Sequence, residues 1–351
     1  MTSPPNIPPA FPADSAVEAD RRAFPDPTQD PRRAEPVAAG ASGRVFHRIR
    51  PARGAERILM HYPAEPTENG LFAGIGRVLG TEGFPVPRIL RADPGKRLVW
   101  LEDLGDRDLF GLRGDPQARA EAYRRAIETT ARLQALPDDL FRRHGAETLP
   151  PFDEGLYEFE HRYFRRELLA RLRPGGAPDR KTAGELRELA KRLPAEPARW
   201  VHRDYQSKNL LLDRDGRLRV VDFQGLRRGH PFYDPASLLA DPYAELPAEE
   251  RRAHFRFFCS LVGATAETGA FAAVCCQRLL QALGAFGRHG LGRDVAFFRE
   301  RIPVGLRLLA ESAEAVDLPG LAALATDLRE EAVRRGLNTS AGRHWEDSPD
   351  S

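Results

Sequence analysis

The segment from Val201 to Gln224, VHRDYQSKNLLLDRDGRLRVVDFQ, constrains this chain more than any other. It sets a carboxylate at Asp204, an amide oxygen at Asn209 and a second carboxylate at Asp222. Between the last two, Leu210 to Leu212 and Leu218 to Val221 read as short strands. Asp215-Gly216 between them predicts a tight hairpin, because such a turn needs positive φ. A hairpin at this place returns Asn209 to the neighbourhood of Asp222. Hard oxygen donors of this kind suit Mg²⁺, with water and ATP phosphates completing its octahedron. Phosphoryl transfer needs metal ions on the phosphate oxygens and a carboxylate beside the attacking hydroxyl, and Asp204 is the candidate for that carboxylate. A lone H-R-D or D-F is common by chance, and acidic residues near hairpins are usually solvated. Three correctly ordered groups, the hairpin and an upstream glycine loop together are far less so.

The spacing of His202-Arg203-Asp204, Asn209 and Asp222-Phe223 is that of the H-R-D-x-x-x-x-N loop and D-F-G segment of protein kinases, except that Gln224 stands where glycine would. The D-F-Q, with HRDYQSKN before it and YDPASLL after it, resembles the aminoglycoside-phosphotransferase superfamily. Within it, the chain is most similar to bacterial anomeric sugar kinases that phosphorylate N-acetylmuramate and N-acetylglucosamine in cell-wall recycling. The similarity runs from about Ala39 to about Leu328. It implies an α+β, two-lobed protein-kinase-like fold, with a small antiparallel β lobe at the N-terminal side and a larger, mainly helical lobe after it.

At 351 residues the chain is long enough for two packed lobes. The expected division is a disordered N-terminal tail over 1–35, a nucleotide-binding lobe over 36–104, a catalytic and acceptor-binding lobe over 105–336, and a frayed tail over 337–351. The first stretch is Pro-rich and lacks apolar periodicity, so composition alone predicts disorder. A net charge of +2, from 53 basic and 51 acidic residues without a dense basic block, argues against a nucleic-acid partner. No apolar run approaches the roughly 20 residues of a membrane span, and no basic then apolar leader is visible. The expectation is a cytoplasmic monomer. Cys259, Cys275 and Cys276 form no zinc or redox pattern and read as packing residues.

Gly40, Ser42, Gly43 and Arg44 make a small-residue loop between two predicted strands, the second over Val45 to Ile49. Backbone N–H groups of such a loop can approach phosphate, with Ser42 and Arg44 adding donors. The next strand, RILMHY over 57–62, carries Met60 and His61 where a protein kinase carries its phosphate-binding lysine. Glu68 opens the following helix without that lysine as a partner. Gly70, Gly74 and Gly76 lie within a helical pattern and read as close-packing positions. Glu102 and Leu104, at the end of the strand 97–101, resemble the superfamily's interlobe hinge, whose backbone pairs with adenine. Helices are expected over 117–136, 152–172, 248–262, 266–288, 293–312 and 318–335.

The resemblance implies further roles. Glu160 and Arg278 are candidates for the acceptor pocket, although a solvated Glu and a core-paired Arg are the plain alternatives. Asp234 precedes a helix as an N-cap would and braces the catalytic loop in the superfamily. His202 and Arg203 read as fixing that loop. Lys208 is a candidate for stabilising transferring charge, against the alternative of an exposed loop lysine. The resulting expectation is an ATP- and Mg²⁺-dependent kinase of a small hydroxylated acceptor, most similar to kinases acting on the anomeric hydroxyl of an amino sugar. An aminoglycoside, a choline-like alcohol or another sugar are the alternative acceptors. A nucleotide-binding pseudokinase is the rival from another class.

Overall fold

The structure is a computed structural model that describes residues 11–37, 43–195 and 197–337. Gly40 and Ser42 therefore lie outside the described residues, as do 1–10 and 338–351.

The small lobe is a five-stranded antiparallel sheet in the order β1-β2-β3-β5-β4, with β1 Arg33–Val37, β2 Val45–Arg50, β3 Arg57–His61, β4 Ile89–Asp93 and β5 Leu98–Glu102. Phe46 pairs with Met60 and Ile58 with Leu101, so alternate residues of β2, β3 and β5 share the face that roofs the interlobe cleft. The opposite face carries Ile49, Leu59, Leu98 and Trp100. An N-terminal helix, α1 (Ala13–Ala23), lies on that second face through Ala16, Ala19, Ala23 and Phe24. Residues 11–35 thus contradict the expected disordered tail. What orders them is a tertiary interaction invisible to composition. Asp20, fully buried, accepts from Arg57 Nε and Nη2 at 2.6 Å each and from Arg32 Nη1 at 3.2 Å.

Between β3 and β4, α2 (Phe72–Thr81) packs against the D-F-Q segment. Of the three glycines read as packing positions, only Gly76 is one. A Cβ there would stand 2.9 Å from both Ile89 Cδ1 and Phe223 Cζ, whereas Gly70 meets nothing and Gly74 only an ordinary contact with Ala146. Phe72 stacks on Phe223 at 4.4 Å between centroids, joining α2 to the same segment.

The large lobe holds α3 (Pro116–Gln134), α4 (Leu140–Arg143), α5 (Glu154–Phe164), α6 (Ala170–Leu172) and α7 (Arg180–Arg192) before the catalytic segment. After it come α8 (Tyr233–Leu239), α9 (Ala248–Val262), α10 (Thr268–Phe286), α11 (Ala296–Arg299), α12 (Ile302–Glu314) and α13 (Pro319–Arg334). Two hairpin-like pairs frame the catalytic loop: β6 (Arg199–Val201) with β9 (Arg227–Gly229), and β7 (Leu210–Leu212) with β8 (Leu218–Val220). The expected helix over 152–172 departs from regular geometry as a π-turn at Arg165–Leu169, and α10 runs on as a second π-turn over Gly287–Leu291. The expected 293–312 helix is split, because Pro303, which has no N–H to donate, opens α12 at its first turn. Residues 268–291 are, contrary to expectation, long and apolar enough to span a membrane, with mean hydropathy 1.3. They are instead packed inside the lobe against α5, α8 and α12. The three cysteines lie buried and unbridged.

Candidate active site

The cleft between the lobes has a volume of about 680 Å³. Its roof is apolar, formed by Val37, Phe46, Ile58 and Leu101, and Leu211 and Val221 face it from below. An apolar slot beside an extended segment suits a flat heteroaromatic ring. That segment is the expected hinge. Glu102 and Leu104 both line the cleft there, and Asp103 folds the turn by accepting from Gly105 N at 3.0 Å. Arg48 on β2 clamps it further, donating to Asp103 at 2.7 Å and to Asp106 at 2.8 Å. The Glu102 carboxylate points away toward Arg219, 2.9 Å distant, so its side chain is structural.

The catalytic loop follows β6 and is held from behind by a carboxylate. Asp234 accepts from the backbone N–H of His202 at 2.7 Å and of Arg203 at 2.9 Å. It stands within the first turn of α8 and makes no cap bond, so the expected N-cap role is replaced by this brace. Burial pushes the Asp234 carboxyl up to about 7 against the pull of those two donors. His202, almost fully buried, contacts the Val221 carbonyl through Nε2 at 3.0 Å, and burial lowers its pKa. A carbonyl only accepts, so the ring carries its proton on Nε2 and ties the loop to the strand leading into Asp222. Arg203, at φ 80°, reaches Glu68 at 3.4 Å and so crosses between the lobes.

Asp204, Asn209 and Asp222 converge in the cleft. Asn209 Nδ2 donates to the Asp204 carbonyl at 2.9 Å and lies 3.5 Å from Asp222 Oδ2, which leaves the amide oxygen on the other side of the group. The β7–β8 hairpin makes this possible, with Leu210 opposite Val220, Gly216 at φ 74°, and Asp213 accepting from Asp215 N and Arg217 N. Asp222 sits in the left-handed region at φ 68°. With Arg203 it is one of two non-glycine positive-φ residues here, the kind of backbone strain that clusters at functional sites. Burial pushes the Asp222 carboxyl up, but Arg44 beside it, with His202 and Gln224, more than offsets this and holds it below its ordinary value.

Among the described residues no cluster of three or more His, Cys, Asp or Glu suits a metal. Asp222 nevertheless offers a hard carboxylate oxygen, and Asn209, whose amide nitrogen now faces it, offers a second once the amide is turned over, so the residues fit a Mg²⁺ ion that phosphate oxygens complete.

The remaining candidates separate. Arg278 lines the cleft; its Nη2 is 3.7 Å from Asp204 Oδ1 and 3.2 Å from Gln206, and its Nε donates to Ser237 at 3.0 Å. Glu160 does not reach the cleft. It is buried behind the catalytic loop, accepting from Gln277 Nε2 at 3.0 Å, because the inward face of α5 meets α10 there. The acceptor-pocket expectation for Glu160 is thereby corrected, and burial raises its pKa. Lys208 lines the cleft but pairs with Asp108 at 2.6 Å and lies over the Phe110 ring. Gly43 turns at φ 77° ahead of Arg44. Arg44, nearly buried, donates to Gln224 Oε1 at 2.8 Å and to Asp222.

Sequence reasoning missed three groups. Asp241 is a second brace, accepting from Ser207 N at 2.8 Å and Ser207 Oγ at 2.6 Å. Its signal was available: Asp234 stands in the first turn of α8 and Asp241 just beyond its end. Gln224 was noted only as a departure from glycine. The third group is an aromatic wall of the cleft, lined by Tyr243, Phe286, Phe297 and Phe298 together with Gln281 and His289. These come from separated helices, and no local pattern connects them.

A small antiparallel lobe over a helical lobe, with three oxygen-bearing side chains converging between them, defines a protein-kinase-like phosphotransferase. The chain belongs to the phosphotransferase enzyme family (APH), which its residues 33–272 match. It is 28% identical over 227 residues to the N-acetylmuramate/N-acetylglucosamine kinase of Caulobacter vibrioides, covering 60% of this chain and 61% of that one. The match thus spans less than two thirds of the curated relative's length. In structure it is similar to a choline/ethanolamine kinase family protein from Mesorhizobium loti, with TM-score 0.59, 17% identity and coverage of 90% of this chain and 99% of that one. It is also similar to the Streptomyces rimosus aminoglycoside phosphotransferase APH(3'')-Id in complex with ADP and streptomycin, with TM-score 0.55, 18% identity and coverage of 76% and 98%. At these identities the structural likeness is one of fold.

Proposed function

We propose that this protein is an ATP- and Mg²⁺-dependent kinase of the anomeric hydroxyl of an N-acetylated amino sugar, N-acetylmuramate or N-acetylglucosamine, acting in the cytoplasm as a monomer in cell-wall recycling. The convergence of Asp204, Asn209 and Asp222 beneath a hinge and apolar slot carries the kinase part of this reading. The likeness to the Caulobacter enzyme supports the amino sugar, and so does the charge of the acceptor wall. Among the described residues that line the cleft between 243 and 298, Arg278 carries a positive charge, none is a carboxylate, and His289, held down to about 4 by burial, is neutral. A cationic aminoglycoside or choline would meet a like charge there, whereas a neutral or acidic sugar would not.

In this mechanism the Asp204 carboxylate accepts the proton of the attacking hydroxyl, and Arg278 beside it orients that carboxylate. Asp234, His202 and Asp241 keep the loop fixed, so that Asp204 is positioned before the acceptor arrives. A magnesium ion held by Asn209 and Asp222 would supply charge neutralisation for the phosphate oxygens. Gly40, Ser42, Gly43 and Arg44 are the phosphate-side residues, and the backbone of Glu102 to Leu104 takes the adenine edge.

The test is ADP release by the purified protein with Mg-ATP and a panel of N-acetylmuramate, N-acetylglucosamine, other hexoses, choline and an aminoglycoside. Release with an amino sugar, and an acid-labile 1-phosphate as product, is the expected result. Release with choline or the aminoglycoside alone would overturn the acceptor assignment, and ATP binding without release on any acceptor would move the reading to a pseudokinase.

A further inference from the structure

Two departures of this chain from the protein-kinase pattern meet at one point in the cleft. Protein kinases keep their phosphate-binding lysine on the third strand of the small lobe. Here Ile58 on β3 lines the cleft, and Met60, two residues on and so on the same face, is fully buried in the core. Met60 pairs across the sheet with Phe46, which also faces the cleft. Arg44 lies two residues before Phe46, and its side chain leaves by that face too, since it reaches Asp222 and Gln224 on the far side of the cleft. The second departure is Gln224 in place of the D-F-G glycine. Gln224, itself 3% exposed, accepts from Arg44 Nη1 at 2.8 Å and donates to Asp222 Oδ1 at 3.2 Å, which closes a triangle with the Arg44–Asp222 pair. Glu68, which would have paired with the lysine, has turned to Arg203.

We propose that Arg44 and Gln224 together replace the missing lysine. Arg44 supplies the positive charge to the nucleotide's phosphates from the neighbouring strand, and Gln224 sets the plane of its guanidinium beside Asp222. The chemistry favours this pairing. A guanidinium is a flat fork that needs two acceptors to fix its orientation, and a lysine's point charge does not. Asp222 is one acceptor. A glutamate as the other would add a second negative charge to a site that must receive phosphate, and a glycine would offer the fork no acceptor from this position. A neutral amide holds the group without discharging it, and its own N–H₂ steadies the Asp222 carboxylate.

This proposal rests on the nucleotide half of the reading above and is independent of the acceptor. The test is therefore a binding measurement without acceptor: titration calorimetry of the full chain with Mg-ATP and, separately, with adenosine, for the natural sequence, Arg44→Met and Gln224→Ala. Arg44→Met is expected to weaken Mg-ATP by about tenfold or more, the size of a charged hydrogen bond, and Gln224→Ala by about fivefold, less because Gln224 acts only through Arg44 and Asp222. Adenosine, which has no phosphate, should bind all three alike. Unchanged Mg-ATP affinity in Arg44→Met would overturn the proposal, and so would an equal loss of adenosine, because either outcome removes the phosphate from Arg44's role. A natural sequence that binds neither ligand would overturn the nucleotide reading itself.

Discussion

At the residue scale, Asp204 is the proposed base. Its carboxylate is partly open to the cleft, with Arg278 at 3.7 Å, while the loop around it is fixed through backbone N–H groups. Asp204→Asn keeps the shape and the Asn209 contact to the backbone carbonyl but removes the base. Turnover should fall by roughly 10²–10⁴-fold, with Mg-ATP affinity unchanged by calorimetry; retained turnover would remove Asp204 from catalysis. The sequence marked Asp204, Asn209 and Asp222 because their spacing is local, set by one loop and one hairpin. Glu160 was misplaced for a physical reason. A helical period shows that residues share a face without showing what that face meets, and α5 turns Glu160 onto α10 instead of the cleft.

At the element scale, α1 is held by a buried carboxylate between two arginines, and removing one partner from such a cluster leaves charge without compensation. Asp20→Ala is expected to destabilise the fold by about 3–5 kcal/mol, read as a lower midpoint in urea denaturation; a shift within about 0.5 kcal/mol would show that α1 does not support the sheet. The α2 helix gives a second case. With Ile89 and Phe223 both 2.9 Å from a Cβ at Gly76, Gly76→Ala should cost about 1–3 kcal/mol through overpacking, and a midpoint equal to that of the natural sequence would contradict it. Because Phe223 follows Asp222, the same variant should also weaken Mg-ATP binding.

At the scale of the whole molecule, acid sensitivity follows from buried histidines. Burial holds His161 and His230 down to about 4: His230 Nδ1 accepts from Phe232 N at 3.0 Å and so needs the neutral ring, whereas His161 Nε2, 2.7 Å from Gln277 Oε1, donates in either state and is kept neutral by burial. An unfolded histidine titrates near 6.5. Between about 6.5 and 4 the unfolded chain therefore binds protons that the folded one refuses. The stability these rings contribute is complete above about 6.5 and is lost as the pH falls toward 4, by up to about 3 kcal/mol per ring. Urea midpoints between pH 7.5 and 4.5 should drop steeply in the natural sequence and less steeply in a His161→Gln, His230→Gln double variant. Parallel slopes would show that other groups carry the acid sensitivity.

What the sequence by itself determined is the chemistry and its nearest scaffold: the oxygen donors, the hairpin that gathers them, and a two-lobed arrangement in which strands precede helices. All of these are encoded over a few residues by period, turn chemistry and spacing. What only the tertiary structure decided depends on partners far apart in the chain. Asp20 orders an N-terminal segment that composition marks as disordered, because Arg57 lies beside it across the sheet. Arg44 takes its place against Gln224 and Asp222, some 180 positions downstream, and the aromatic wall of the cleft assembles from α10, α11 and the Tyr243 turn. Local patterns record which way a side chain leaves its own element; which group it meets is settled only when the two lobes close on each other.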